Sequence, residues 1–470
     1  MAQFTKRLAG IILLMLPLAV FGSPMHTAAE PALWSIIPFL LLLGMIATGP
    51  IFYHHFWERN YPVIASVIGI AVVIYYLAFL HDLHHPIHSL SEYFSFISLV
   101  GSMYVVSGGI LIKIDQEATP RVNAILLFCG AVLANVIGTI GASMLLIRPF
   151  IRINKDRLEH YHVVFFIFIV SNVGGCLTPI GDPPLFLGFL KGVPFQWTLF
   201  HAWPMWLFAV GSLVAIFFVY DRRNVLRDRP VIVKRSGKVV VLGKQNFIFI
   251  AIILAAIFID PNVLPLPWGT YIDYHGDKLS FLRELIMLLT AAIAYRMADI
   301  KALQGNEFNF EPIKEVGYLF IGIFMSMMPA LQIIGKMAAE NPQVVTENSL
   351  FWLTGSLSAV LDNAPTYLNF LSAAMGKLGL SLDNKADVVA FTKGIPHEVS
   401  VRYLLAVSIS SVFFGACTYI GNAPNFMVKS ITEQIGLKMP SFTTYFTRYA
   451  LPILLPVITL TWLIFFVLLA

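Results

Sequence analysis

Long apolar runs separated by short polar breaks dominate this chain. Runs near residues 34–53, 61–80, 93–112, 160–190, 199–220, 246–260, 281–298, 317–338, 400–430 and 443–469 lie near the ~20 apolar residues that cross a bilayer as a helix. Two further stretches, 122–148 and 348–376, are apolar at their ends and polar in the middle, "LANVIGTIGAS" and "LSAVLDNAPTYL". Each reads either as one crossing or as a re-entrant hairpin. The pattern predicts an all-α polytopic membrane protein with about 10 transmembrane helices plus 2 hairpins.

Composition agrees. Of 470 residues, 58% are hydrophobic and only 12% charged, which is too apolar for a soluble domain. Cys129, Cys176 and Cys417 all fall in apolar runs, with no disulfide framework or metal-ligand spacing. No phosphate-binding glycine loop, nucleophile triad or dinucleotide fingerprint sits in a fitting context, so neither an enzyme nor an ATP-driven pump is expected. Nothing points to nucleic acid or to a bound cofactor.

The start, "MAQFTKRLAGIILLMLPLAVFGSPMHTAAE", places Lys6 and Arg7 before a short apolar core and small residues. It reads as a signal peptide over residues 1–28, with an uncleaved first helix as the alternative. Basic residues cluster at Arg148, Arg152, Lys155 and Arg157, and again in "DRRNVLRDRPVIVKRSGKVVVLGK" (221–244). The positive-inside rule sets both on the cytoplasmic side of the inner membrane.

The two halves resemble one another. "GGCLTPIGDPPLFL" follows the first polar-centred stretch and "GACTYIGNAPNFM" follows the second. Within them, "IGDPPLF" (180–186) matches "IGNAPNF" (420–426), setting Asp182 against Asn422. The predicted organisation is a first membrane repeat over 29–220, a basic cytoplasmic linker over 221–245 and a second membrane repeat over 246–470. An odd number of crossings per unit would invert the second copy, a transporter architecture.

Lipid cannot satisfy a bare backbone, so a broken helix at membrane depth must be buried in protein or line a wet cavity. Pro179, Pro183 and Pro184 remove N–H donors, and Gly174, Gly175 and Gly181 permit tight turns. The freed carbonyls and half-helix ends can coordinate a small ion. Polar side chains gather at these breaks: Asn135, Thr139 and Ser143, then Ser171, Asn172, Thr178 and Asp182, then Asp362, Asn363 and Thr366, then Ser410, Ser411, Thr418, Asn422 and Asn425. An intramembrane carboxylate costs about 3 kcal/mol or more and usually serves function. Asp182 and Asp362, with no basic residue in their motifs, point to a cationic substrate. One carboxylate can hold a cation when ionised and a proton when not, so competition suffices for exchange.

"SNVGGCLTPIGDPP", "LSAVLDNAPTYL" and "GACTYIGNAPNF" resemble the NhaD-type sodium/proton antiporters and their citrate-transporter-like relatives in the ion transporter superfamily. The resemblance implies two inverted repeats, each with a re-entrant hairpin and an unwound span, and a homodimer. It also implies that Asn172, Thr178, Asp182, Asp362, Asn363 and Asn422 line the ion site. Antiporters of this type often carry an acid in the first hairpin, where this chain reads "ANVIGTIGAS". The carboxylate transporters carry Ser-Asn-Thr motifs at the hairpin tips, and neither hairpin here shows one intact.

The expected function is secondary exchange of Na⁺ or Li⁺ for protons, with sodium-coupled import of citrate-like anions as the alternative. The expected ion-binding set is Asp182, Asp362, Asn363, Asn172, Thr178, Asn422, Thr366, Thr418, Asn135 and Thr139. The expected partners are the cation, protons, membrane lipid and a second copy of the chain. "HDLHHPIHS" (81–89) reads as an interfacial external loop rather than a zinc site, since no closed ligand set is evident. Arg283 and Glu284 are expected at the water boundary of a span.

Overall fold

A computed structural model describes residues 30–116, 118–228, 238–259, 271–274 and 277–469. The proposed signal peptide lies outside the described residues. The chain is helical almost throughout, and among the described residues eight helices are long and apolar enough to cross a membrane.

The chain opens with α1 (Ile37–Phe52), α2 (His54–Ala78) and α3 (His84–Gly108), followed by β1 (Leu111–Asp115). The span expected at 93–112 starts earlier, so His84, His85 and His88 stand in the first turns of α3 and not in a loop. α4 (Pro120–Ile153) begins with Thr119, whose hydroxyl accepts from Val122 N–H at 3.2 Å, and with Pro120 in the first turn. A straight helix of 34 residues would run about 50 Å, well past the ~30 Å hydrocarbon core. Gly138 breaks it, at φ 78° and ψ 157°, a conformation open to glycine.

The two arms of α4 then fold against each other. Gly130 on the first meets Leu146 on the second. At the root, Asn123 and Asn154 exchange amide hydrogen bonds of 2.7 and 2.9 Å. The stretch 122–148 is therefore a hairpin with its tip at Gly138.

α5 (His160–Ile169) gives way to a short 3₁₀ turn at Val173–Leu177, and the span resumes as α6 (Pro183–Lys191). α7 (Trp197–Asp228) follows, continuing helically into the basic linker, whose far end forms β2 (Lys238–Leu242). β2 pairs antiparallel with β1, from Leu111↔Leu242 to Asp115↔Lys238. The ribbon joins the end of α3 to the start of α8 (Asn246–Ile257), and periodicity gave no sign of it. A small ribbon, β3 (Ile272–Tyr274) with β4 (Asp277–Leu279), precedes α9 (Leu282–Arg296). Glu284 at its start is fully buried and Arg283 nearly so; Glu284 accepts from Arg283 Nε at 2.8 Å and from Ser95 Oγ at 2.6 Å. These two residues sit inside the protein, not at a water boundary.

α10 (Ile300–Gly305) and α11 (Glu311–Glu340) lead to the second hairpin, α12 (Glu347–Ser358) and α13 (Asn363–Lys377). Lys377 at the end of α13 donates to Val345 O, just before α12, at 2.5 Å, which closes the root. Asp362 at the tip caps α13 by accepting from Ala364 N–H at 3.0 Å. α14 (Lys385–Thr392), α15 (Val399–Phe414), a 3₁₀ turn at Gly415–Cys417 and α16 (Ala423–Gln434) repeat the broken span, and α17 (Phe442–Leu468) ends the chain.

Lipid gives helices little hydrophobic reason to associate, so close packing and hydrogen bonds hold them. Small residues sit where helices touch. Gly322 of α11 lies against Ala65 of α2, and Gly376 of α13 against the backbone of Gly335. Beside that crossing, Ser372 donates to Leu331 O at 2.6 Å. Phe96 of α3 stacks on Phe320 of α11 at 4.6 Å. This framework flanks the hairpins and broken spans, whose polar centres meet at one point.

Candidate functional site

Asp182 stands at that point. It is the residue before α6, with extended backbone (φ −142°, ψ 144°), and Pro183 and Pro184 fill the first turn behind it. Only 1% of its surface is exposed. Three neutral groups donate to its carboxylate: Thr139 Oγ1 at 2.8 Å, Asn363 Nδ2 at 2.6 Å and Asn422 Nδ2 at 2.8 Å. They come from the tip of the first hairpin, the tip of the second and the second broken span. All four breaks thus contribute one side chain.

The backbone of each break is held the same way. Thr178 Oγ1 donates to Asn135 O at 2.6 Å, and Thr418 Oγ1 donates to Ala359 O at 2.6 Å. Each threonine also accepts from the glycine three residues on, Gly181 and Gly421. Asn135 adds a further strut, donating to Gly174 O at 2.6 Å and accepting from Leu177 N–H at 2.8 Å. Gly175 and Gly181 touch backbone to backbone, as do Gly415 and Gly421. Any side chain there would separate the strands of the break.

The expected residues therefore divide. Asp182, Thr139, Asn363 and Asn422 form the centre. Asn172 adjoins it, accepting from Asn422 at 3.2 Å while donating to Asn425 Oδ1 at 2.6 Å. Asn135, Thr178 and Thr418 are struts. Thr366 bonds within its own turn, to Asp362 O at 2.9 Å. Asp362 is partly buried, caps α13, and makes no hydrogen bond to Asp182. Asn425 is the contributor whose weight the sequence understated, since it fixes Asn172. Ser143 and Ser171 pair with each other at 2.8 Å.

The chemistry of the centre is specific. No Lys, Arg or His forms an ion pair with Asp182 among the described residues. The buried Oδ1 atoms of Asn363 and Asn422 have no hydrogen-bond partner among the described residues. Turning either amide by half a rotation would present an oxygen in place of the N–H. A carboxylate and two amide oxygens are the hard ligands a small cation takes in exchange for water.

The half-helices α6, α13 and α16 all begin at the centre, so three positive helix ends face it. Their first turns carry Pro183, Pro184, Pro365 and Pro424, which lack the N–H groups an anion would use. A narrow cleft reaches the centre between the tip around Gly138, Asp182 and Phe186, and Leu99, Met103 and Tyr104 of α3. The other end of α6 is tied down as well. Lys191 lies 3.1 Å from Glu92 of α3 and 3.3 Å from Asp383, in the loop after α13. Burial opposes the Asp383 charge, but Lys191 and His85 hold its carboxyl well below the usual carboxylate range.

His85 also pairs with Asp82, and His88 lies 3.3 Å from Glu92. Among the described residues no set of three or more His, Cys, Asp or Glu is arranged to hold a metal ion.

Residues 28–466 match the family described as "Putative citrate transport", and the chain belongs to that family. Two uncharacterized transporters, from Mycobacterium bovis and Mycobacterium tuberculosis, are each 23% identical to it over 455 residues, covering 87% of this chain and 95% of theirs. The protein is a multi-pass membrane transporter and not an enzyme.

Proposed function

We propose that this member of the family is a secondary transporter whose coupling ion, Na⁺ or Li⁺, binds at Asp182 and competes there with a proton. One observation carries the reading: a carboxylate buried where four breaks meet, without a basic partner among the described residues, beside two amide oxygens that lack partners among them. The hydroxyl of Thr139 and the amides of Asn363 and Asn422 donate to the carboxylate. A cation arriving through the cleft displaces the amide N–H groups, and the amides turn to add their oxygens. Protonation of Asp182 removes the charge that holds the cation and releases it. Exchange needs nothing further at the site than this competition, provided the site opens to one side at a time. The inner membrane is the expected location and a homodimer the expected assembly.

The test uses everted vesicles holding a proton gradient. Adding Na⁺ or Li⁺ is expected to dissipate it, and no dissipation by either cation from acid to alkaline pH would sink the exchange reading.

A second reading is sodium-coupled import of citrate-like anions. The family's description favours it. Here the same cation site serves symport, and the anion sits nearby. Uptake of labelled di- and tricarboxylates into proteoliposomes, with and without a sodium gradient, separates the two.

A further inference from the structure

Arg148 lies on the second arm of the first hairpin, on the half away from the tip. Its side chain is 5% exposed, yet it holds one partner: Nη2 donates to Glu307 Oε2 at 3.2 Å. Its Nε and Nη1 are buried and have no hydrogen-bond partner among the described residues. Arginine cannot shed its charge, so a buried guanidinium with two idle nitrogens is an anion site that is incompletely filled. A well-seated carboxylate would engage it through two nitrogens.

Glu307 is poorly suited to be a permanent occupant. Its side chain is 64% exposed, and it reaches Arg148 through a single contact. Its backbone sits at φ 47°, in the left-handed region that non-glycine residues avoid. An ion pair this exposed on one side is held weakly.

A second cation stands beside the first. Arg152, one turn along the same arm and therefore on the same face, donates to Gly305 O at 3.3 Å, in the turn that leads to Glu307. Gly305 in turn lies against Leu111 of β1. β1 pairs with β2, so the two arginines lie on the face of the protein that carries this ribbon.

We propose that Arg148, assisted by Arg152, binds one carboxylate of a small di- or tricarboxylate at this face, and that Glu307 is a displaceable stand-in for it. The proposal rests on the anion reading of the family and gives that reading a position which the Asp182 centre, with its prolines and its acid, does not supply. In transport the anion docks at Arg148 before it enters or after it leaves the cleft, and Glu307 closes over the guanidinium when the site is empty.

Citrate binding to purified protein by calorimetry tests it, alongside labelled citrate uptake by the same protein in proteoliposomes. Glu307→Gln removes the internal competitor from an exposed position and is expected to tighten citrate binding about fivefold. Arg148→Gln is expected to weaken it about tenfold or more. Arg148→Lys keeps the buried charge in case the glutamine variant fails to fold, and is expected to weaken binding by less. Glu307→Gln and Arg148→Lys both binding citrate as the unaltered protein does, or none of the proteins binding it, would overturn the site. Uptake by the unaltered protein together with unchanged binding in both variants removes the site and leaves citrate transport standing. Tightened binding in Glu307→Gln without uptake removes citrate transport and leaves the site.

Discussion

The break at 178–186 and the break at 418–426 share a backbone and differ in charge. Asp182 and Asn422 stand at the same place, each extended and each before a half-helix with proline in its first turn. Thr178 and Thr418 clamp their breaks to the neighbouring hairpin with bonds of equal length. What differs is that the first break presents a carboxylate and the second presents an amide that donates to it. The hairpin tips differ in the opposite sense. Gly138 turns the first and Asp362 the second, while the next residues, Thr139 and Asn363, both donate to Asp182. The two breaks are built alike, and a different residue at each level sets one carboxylate among three neutral donors. Such an arrangement suits a site that must hold either a cation or a proton, since it has one negative charge to give.

The largest effect should come from erasing that difference. Asp182→Asn makes the two breaks alike and leaves the centre without charge. Cation-dependent dissipation of a proton gradient should fall roughly 100-fold, as expected when one partner of a buried charged site is removed. Immunoblots of the membrane fraction should show normal insertion. Retained exchange would move the ion elsewhere. Next in size is Asn363→Ala, which removes one amide ligand and should raise the cation concentration for half-maximal exchange about tenfold, near the value of one hydrogen bond to a charged group. An unchanged half-maximal concentration would show that the second tip does not reach the ion.

The glycine pairs sharpen the comparison further. A Cβ on Gly175 would lie 2.7 Å from Gly181 O and 2.6 Å from Thr139, whereas on Gly415 the nearest atoms are at 3.2 Å. Gly175→Ala should therefore lower stability by about 1–3 kcal/mol and Gly415→Ala by less, read as thermal unfolding in detergent. Equal losses would mean that the breaks are equally tight. The smallest effect belongs to Asp362. Asn is as good a helix cap as Asp, so Asp362→Asn should keep exchange within a few-fold of the parent, while Asp362→Ala should cost about 1 kcal/mol of stability. Loss of exchange in Asp362→Asn would promote this carboxylate from cap to ligand.

Much of this was legible in the chain. Apolar runs marked the spans because their period and length are set by the bilayer. The prolines and glycines of "LTPIGDPPLF" marked a break because they cannot continue a helix. Pairing that motif with "TYIGNAPNFM" found both halves of the centre. The hairpin was not decidable from "LANVIGTIGAS" alone, because one glycine at positive φ reverses a chain whose composition still reads as helix. The β1–β2 ribbon escaped because "LIKID" continues an apolar run and "KVVVL" lies in a charged linker, and their pairing is a long-range contact. Arg283 and Glu284 were set at a boundary because adjacent charges usually seek water, yet they bury each other with Ser95. Arg148 passed as one member of a basic cluster, because only packing shows that Arg157 is enclosed with Asp221 while Arg148 is enclosed with two nitrogens unmatched among the described residues.

α6 has nine residues, a rod of about 13 Å, with Asp182 at its head and Lys191 at its foot. Binding free energies are reciprocal between linked positions. If occupancy by an ion shifts α6, the grip of Lys191 on Glu92 and Asp383 shifts by the same energy, and loosening that grip must change the ion's affinity. Asp383 is partly open to solvent. A spectroscopic label near it would sense from the surface what happens at the buried carboxylate of Asp182.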